Sequence, residues 1–238
     1  MPRILALDTS SDACSVALMD GERTLSRFEL AAKSHTRRLL PMVDEVLAEA
    51  GWSLANLDAL AFGRGPGSFT GLRIGLGVIQ GLAFARDLPV VGVSTLDAMA
   101  LGYYEAHPVF AQEGRPVLVA LDARMQEVYW ALLSWTGEPD WLRRLEAEAV
   151  SPPSEVAAQP GVQRLGSAFV AIGPGWHYPE LATLTPEHRD LEVYPDALHM
   201  LPLAKRALAN GEAVPAEQAQ PVYLRDKISW KKRQRIRS

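Results

Sequence analysis

ALDTSSDACSVAL, residues 6–18, returns in altered form as ALDARMQEVYWAL at residues 120–132. The two blocks share five of 13 residues without a gap, and the register pairs Asp8 with Asp122. A second landmark repeats in the same order. Gly65-Pro66-Gly67 follows an apolar strand, and Gly173-Pro174-Gly175 follows FVAI. Shared common residues are weak evidence alone, but two ordered landmarks read as a duplicated strand-hairpin-plus-helix unit. The competing reading is chance similarity between buried strands that end in turns. The polar, irregular stretch 103–115 marks the boundary. It divides the chain into units 1–103 and 104–224, with a basic tail at 225–238.

Working outward from the first block, RILALD (3–8) and the alternating ACSVALMD (13–20) read as a hairpin, with a third strand over 22–30. Leu39, Leu40, Val43, Val46, Leu47 and Ala50 recur at helical spacing, predicting a helix near 35–50 that Gly51 ends. Pro41 inside it predicts a kink or a free carbonyl near Arg37. DALAFG (58–63) is a buried strand, followed by a glycine-rich turn and a helix to Arg86. VVGV (90–93) is another strand, and Ser94 with Asp97 resembles a capping box. The fold class is α/β.

Bulk properties bound the function. The 238 residues are 48% hydrophobic and 22% charged, enough apolar material for a sizeable core. A net charge of −4 does not suggest a chain that coats nucleic acid. The charge is uneven: residues 225–238 carry seven basic residues and one acid, leaving 17 basic and 27 acidic elsewhere. Such a tail reads as a solvated terminus or as a contact for RNA phosphates. The lone Cys14 excludes an internal disulfide and fits a reducing compartment. No signal pattern or 18-residue apolar run is present, so a cytoplasmic, membrane-free protein is expected.

Three features could carry chemistry. Asp8-Thr9-Ser10 at a strand's end suits a metal–phosphate site, and equally a plain hairpin turn. In Gly63-Arg64-Gly65-Pro66-Gly67-Ser68-Phe69-Thr70, the glycines let backbone approach a ligand. Ser68 or Thr70 can cap the following helix, whose positive end faces the same space. Arg64 and Arg73 add charge. This is neither a Walker A loop nor a dinucleotide fingerprint, and a tight strand-to-helix turn explains it as well. Gly65, Gly67, Ser68 and Thr70 therefore join Asp8, Thr9 and Ser10 as candidate phosphate or nucleotide contacts.

The third feature is the helix itself. Small residues step by four at Gly71/Gly75 and at Gly77/Gly81/Ala85. Each glycine costs about 1 kcal/mol relative to alanine, so close approach of another element must compensate. That element is either the unit's own sheet or a partner's helix. Leu72, Ile74, Leu76, Val78, Ile79, Leu82 and Phe84 surround the helix with apolar surface, which points to a face covered by another subunit or to simple core burial. No histidine pair sits at i,i+4 on a predicted helix, and no G-x-S-x-G elbow occurs.

ILALDTSS (4–11), SHTRRLLPMVDEVL (34–47), AFGRGPGSFTGLRIGLGVIQGLAF (61–84), LPVVGVSTLDAM (88–99), VALDARMQEVYWAL (119–132) and PVYLRD (221–226) together resemble the TsaB/YeaZ family. The resemblance implies an actin-like, hexokinase-like (ASKHA) fold of two duplicated βββαβα-type domains. It implies a non-catalytic paralogue of TsaD, whose two metal-binding histidines align here with Thr95 and Met99. Neither replaces an imidazole. The M22 glycoprotease label attached to such sequences finds no supporting residues here.

The implied role is a scaffold for threonylcarbamoyl transfer to the tRNA adenosine beside the anticodon. Implied partners are TsaD and the ATPase TsaE, with a homodimer when alone and tRNA contacted indirectly. No cofactor is expected in this chain itself, since ATP and metal would come through partner subunits. The implied docking residues are His35, Leu39, Leu40 and Val43 on the first helix. On the second they are Gly71, Arg73, Ile74, Gly75, Val78, Gly81 and Leu82. The alternative is an ASKHA-class phosphotransferase or ATPase acting alone, with Asp8 and Asp122 as its candidate magnesium-holding carboxylates.

Overall fold

A computed structural model describes residues 1–138 and 140–225. Of the basic tail, only Arg225 falls within this range. The first lobe runs β1 (Arg3–Asp8), β2 (Ala13–Asp20), β3 (Arg23–Leu30), α1 (His35–Ala50), β4 (Ala59–Gly65), α2 (Phe69–Arg86) and β5 (Val90–Ser94). Next come α3 (Thr95–Ala106) and α4 (Pro108–Gln112). The second lobe runs β6 (Val117–Asp122), β7 (Val128–Gly137), β8 (Trp141–Ser151), α5 (Pro153–Ala158), α6 (Pro160–Gln163), β9 (Val170–Ile172), β10 (His188–Asp190) and α7 (Ala197–Ala209).

The two sheets repeat one topology, β3-β2-β1-β4-β5 and β8-β7-β6-β9-β10. In each, the first strand pairs antiparallel with the second and parallel with the fourth. The repeated blocks thus mark a duplicated architecture. The helical complement is not duplicated. After Gly173-Pro174-Gly175 come only short 3-10 turns, at Pro174–His177 and Pro179–Thr183, where the first lobe has the 18-residue α2. Prolines likewise open α5 and α6, which run to only six and four residues, and proline suits the first turn of a helix, where its missing N–H leaves no bond unmade.

Alternation along β1 explains its fully apolar run. Leu5 and Leu7 enter a core with α1 and α2, while Ile4 and Ala6 enter a second core with α7. The lobes also exchange helices. The side chains of Leu96, Met99, Tyr103 and Tyr104 on α3 pack on the second sheet, whereas α7 covers the far face of the first. A division at 103/104 therefore cuts through α3, and α7 does not belong to a self-contained second unit.

Beyond α7 the chain runs back over the first lobe. Val214 bridges to Val90, Gln80 donates to the Ala216 and Ala219 carbonyls, and the Val222 N–H donates to the Arg64 carbonyl at 2.7 Å. Among the described residues no helix is long and apolar enough to cross a membrane.

Local signals hold. Gly51 ends α1 in the left-handed region at φ 71°, and α1 continues through Pro41. Ser94 Oγ accepts the Asp97 N–H at 3.2 Å, but the Asp97 carboxylate pairs with Arg144 instead of closing the box.

The small-residue steps on α2 lie on opposite faces. Gly71, Gly75, Ile79 and Ala83 are buried against the lobe, whereas Gly77, Gly81 and Ala85 are exposed. A Cβ on Gly75 would stand 2.7 Å from Thr9 Oγ1, while none of the described residues lies within 4 Å of one on Gly77 or Gly81. Gly75→Ala is therefore expected to destabilise by about 1–3 kcal/mol despite alanine's better helix propensity. Gly81→Ala should stabilise by up to about 1 kcal/mol. Urea denaturation of the two variants checks this, and equal effects would refute the two-faced assignment.

Candidate functional site

The duplicated turns converge on one cleft between the lobes. The first lobe supplies Ser10-Ser11-Asp12 from the β1–β2 turn and Gly67-Ser68-Phe69-Thr70 from the start of α2. The second supplies Leu121 to Arg124 from the β6–β7 turn, Tyr129, Pro174 and His177. With Tyr194 and Arg225 these enclose about 360 Å³.

The two turns are built alike. Asp8 Oδ1 accepts the Ser10 N–H at 3.0 Å, and Asp122 Oδ1 accepts the Arg124 N–H at 2.8 Å. Each aspartate thereby closes an Asx turn. Gly65 and Gly173 share an unusual backbone, with φ of 99° and 98°. Side chains beyond Cβ are barred nearby, since a Cβ on Gly67 would meet the Ser10 carbonyl oxygen at 2.4 Å.

Of the seven candidate phosphate contacts, Ser10, Gly67, Ser68 and Thr70 line the cleft, while Asp8, Thr9 and Gly65 stand behind it. The Thr9 hydroxyl donates to the Gly71 carbonyl at 2.8 Å. The Ser10 carbonyl accepts the Ser68 N–H at 2.6 Å, and Ser68 Oγ caps α2 through the Gly71 N–H at 3.2 Å. Much of this turn's polarity thus joins hairpin to helix. Asp122 lies on the cleft wall, its second oxygen paired with the Arg124 guanidinium at 2.9 Å and its first also accepting from Tyr178.

Asp8 is 1% exposed, and its Oδ2 has no hydrogen-bond partner. Burial pushes its carboxyl up to about 7; the Ser10 hydrogen bonds oppose the rise and the Asp196 charge adds to it.

Neither arginine of the glycine-rich block faces the cleft as a phosphate ligand would. Arg64 pairs with Glu148 on β8 at 3.2 Å. Arg73 lies over the Phe69 ring at 3.8 Å and donates to Tyr223. Thr95 and Met99 are buried, with the Thr95 hydroxyl donating to the Pro66 carbonyl.

The implied docking residues separate into two groups. His35, Leu39, Val43, Gly71 and Gly75 are buried in their own lobe. His35 Nε2 lies 3.2 Å from the Ala13 carbonyl, so its ring packs α1 onto the hairpin. Leu40, Arg73 and Gly81 are exposed, and Ile74, Val78 and Leu82 are half-buried beside them.

Against known proteins, the family model described as tRNA N6-adenosine threonylcarbamoyltransferase, TsaD, matches residues 26–168. The tRNA threonylcarbamoyladenosine biosynthesis protein TsaB of Escherichia coli K12 is 45% identical across 97% of both chains. Its Haemophilus influenzae counterpart is 43% identical across 96% of both. The solved structure of YeaZ from Pseudomonas aeruginosa superposes with a TM-score of 0.83 at 46% identity, covering 94% of this chain and all of that one.

The chain belongs to the TsaB/YeaZ family.

In this member of the TsaB/YeaZ family, residue spacing did not reveal the cleft's far wall. Arg225 donates to the Ala123 carbonyl at 3.1 Å and pairs with Glu127, bridging from the segment that returns over the first lobe to the second lobe. Arg124, Met125 and Gln126 follow one another at φ of 60°, 57° and 60°, a left-handed run that costs roughly 1–2 kcal/mol per residue. Sequence offers a signal for Asp122, through its pairing with Asp8, and for Pro174, through the repeated Gly-Pro-Gly turn, but none for Arg225.

Asp8 yields a pH prediction. Its carboxyl ionises near 3.8 when unfolded and near 7 when folded. Between those values the folded chain holds a proton that the unfolded chain has released, so stability falls as pH rises and levels off above about 7. Asp8→Asn should therefore shrink the loss of stability between about pH 5 and pH 8 by roughly 2–3 kcal/mol. Urea titrations at the two pH values measure it, and an unchanged slope would exonerate the buried carboxyl.

Proposed function

We propose that the chain is a non-catalytic scaffold subunit in tRNA threonylcarbamoyladenosine biosynthesis, the process in its curated relatives' names. It would dock TsaD and support transfer of threonylcarbamoyl to the adenosine beside the anticodon. TsaE would join that pair, ATP and metal would enter through the partner subunits, and tRNA would be met indirectly. Alone, the chain would use the same surface to form a homodimer.

The observation that carries this reading is the outer face of α2. Gly77 and Gly81 leave an open track there, and Phe84 beside it is 84% exposed. Phe69 and Leu40, at 52% and 47%, extend the apolar surface. A track without side chains admits a partner helix at close range, and an exposed aromatic beside it is a natural anchor. The internal commitments of Asp8 and Thr9 add support, because these residues serve the fold where a phosphotransferase would need them in the cleft.

Gly81→Leu combined with Phe84→Asp is expected to leave the fold intact and weaken co-purification with TsaD at least about tenfold, equivalent to 1.4 kcal/mol. Reconstituted tRNA modification should fall with it. Normal pairing by the double variant would remove this face from consideration.

A second reading, an ATP-binding enzyme acting alone, draws on the cleft with Ser10, Gly67, Ser68 and Thr70 on its wall. Calorimetry of the isolated chain with Mg-ATP separates the two, since tight binding with turnover favours the enzyme.

A further inference from the structure

A groove of about 260 Å³ lies between the C-terminal half of α3, the 190–196 segment and the edge strand β3. Asp190, Glu192 and Asp196 line it, with no lysine or arginine among the lining residues. Phe28, Tyr103 and Tyr194 give it aromatic walls. His199, also a lining residue, holds Glu105 at 2.6 Å, and the His107 ring stacks on Tyr103.

His199 partly offsets the Asp196 charge, while Asp190 and Glu192 have no lysine or arginine beside them among the lining residues. Asp190 accepts the Glu192 N–H and Asp196 caps α7 through the Leu198 N–H, both at 2.9 Å. Among the described residues none of the three forms an ion pair. Tyr103 adds an independent sign of a missing partner. It is 2% exposed, and its hydroxyl has no hydrogen-bond partner among the described residues although the Asp190 charge reaches it. Buried polar groups are normally satisfied, and clustered carboxylates beside aromatic faces are satisfied by ammonium or guanidinium groups.

We propose that this groove receives lysine and arginine side chains from the chain's own carboxy-terminal residues 226–238. Those residues include Lys227, Lys231, Lys232, Arg233, Arg235 and Arg237 against the single acid Asp226. Their starting point is close. Arg225 lines the interlobe cleft, and Tyr194 is a wall of both cleft and groove. Thirteen residues span at most about 47 Å when extended, more than enough to turn around one tyrosine. Tethering also raises the local concentration of these cations to the millimolar range. The proposal does not rest on the scaffold reading.

The test uses the full chain with a nitroxide on Ser238→Cys; Cys14 is 0% exposed and stays unlabelled. At low salt the label should broaden backbone amides of 102–107 and 190–196. Signal should return at about 1 M salt, where the Debye length is about 3 Å. It should also return in an Asp190→Asn/Glu192→Gln variant, whose amide oxygens preserve the local turn while the charge is gone. Unbroadened groove amides would overturn the proposal. So would broadening that appears on unlabelled protein mixed with labelled protein, which identifies a second copy as the occupant. Broadening that survives both salt and charge removal would overturn it too. If added tRNA alone changes the label's environment, the basic residues contact RNA and the groove assignment is wrong.

Discussion

The contact between the β1–β2 turn and the start of α2 sets the geometry of the first lobe. A Cβ on Gly71 would stand 1.9 Å from the Thr9 carbonyl oxygen, so only glycine allows the helix so near. Once there, the helix accepts the Thr9 hydroxyl on the Gly71 carbonyl, and the hairpin accepts the Ser68 N–H on the Ser10 carbonyl. These bonds satisfy buried polar groups that would otherwise cost about 1–3 kcal/mol each. The same approach brings Gly67, Ser68 and Thr70 onto the cleft wall. Core, helix position and cleft thus follow from one absence of side chains.

The lobes are joined by exchange as well as by contact. The Thr95 hydroxyl on α3 reaches the Pro66 carbonyl, and the Met99 methyl stands against Gly173, close enough that a Cβ there would meet it at 2.8 Å. One helix therefore touches both glycine-proline-glycine turns. On the far side Glu148 gathers Arg64, Arg144 and Ser94, so a single carboxylate from β8 meets β4 and the start of α3. Glu148 is 7% exposed at its side chain, and two guanidinium partners offset the cost of its burial. Arg225 adds a third tie from the returning chain.

Legibility from sequence divides along the range of the interactions. Local periodicity located the hairpin, α1 and α2 closely, because a stripe such as Leu39, Val43, Val46 and Leu47 encodes its own burial. Glycine chemistry marked the end of α1, and repeated landmarks marked the duplicated sheets. The exchanged helices left no such trace. α3 and α7 are apolar enough for either lobe, and nothing in their spacing names the sheet that each covers. Glycine steps at 71/75 and 77/81/85 looked alike because a four-residue step fixes a face without saying what it meets. Arg64 reads only as added charge beside the glycine-rich turn because its partner Glu148 lies 84 residues away. Arg225 was inconspicuous for the same reason, among charges that usually mark a solvated terminus.

The two faces of α2 lead to different conclusions about what compensates a glycine. On the inner face the compensation is visible, since Gly71 and Gly75 admit the Thr9 backbone and side chain. On the outer face Gly77 and Gly81 each cost about 1 kcal/mol, and among the described residues nothing approaches them. Phe84, 84% exposed one turn further on, is a similar expense left uncovered by its own fold. A monomer gains nothing from either feature. A second helix laid along this track would bury the aromatic ring and use the space that the glycines leave open.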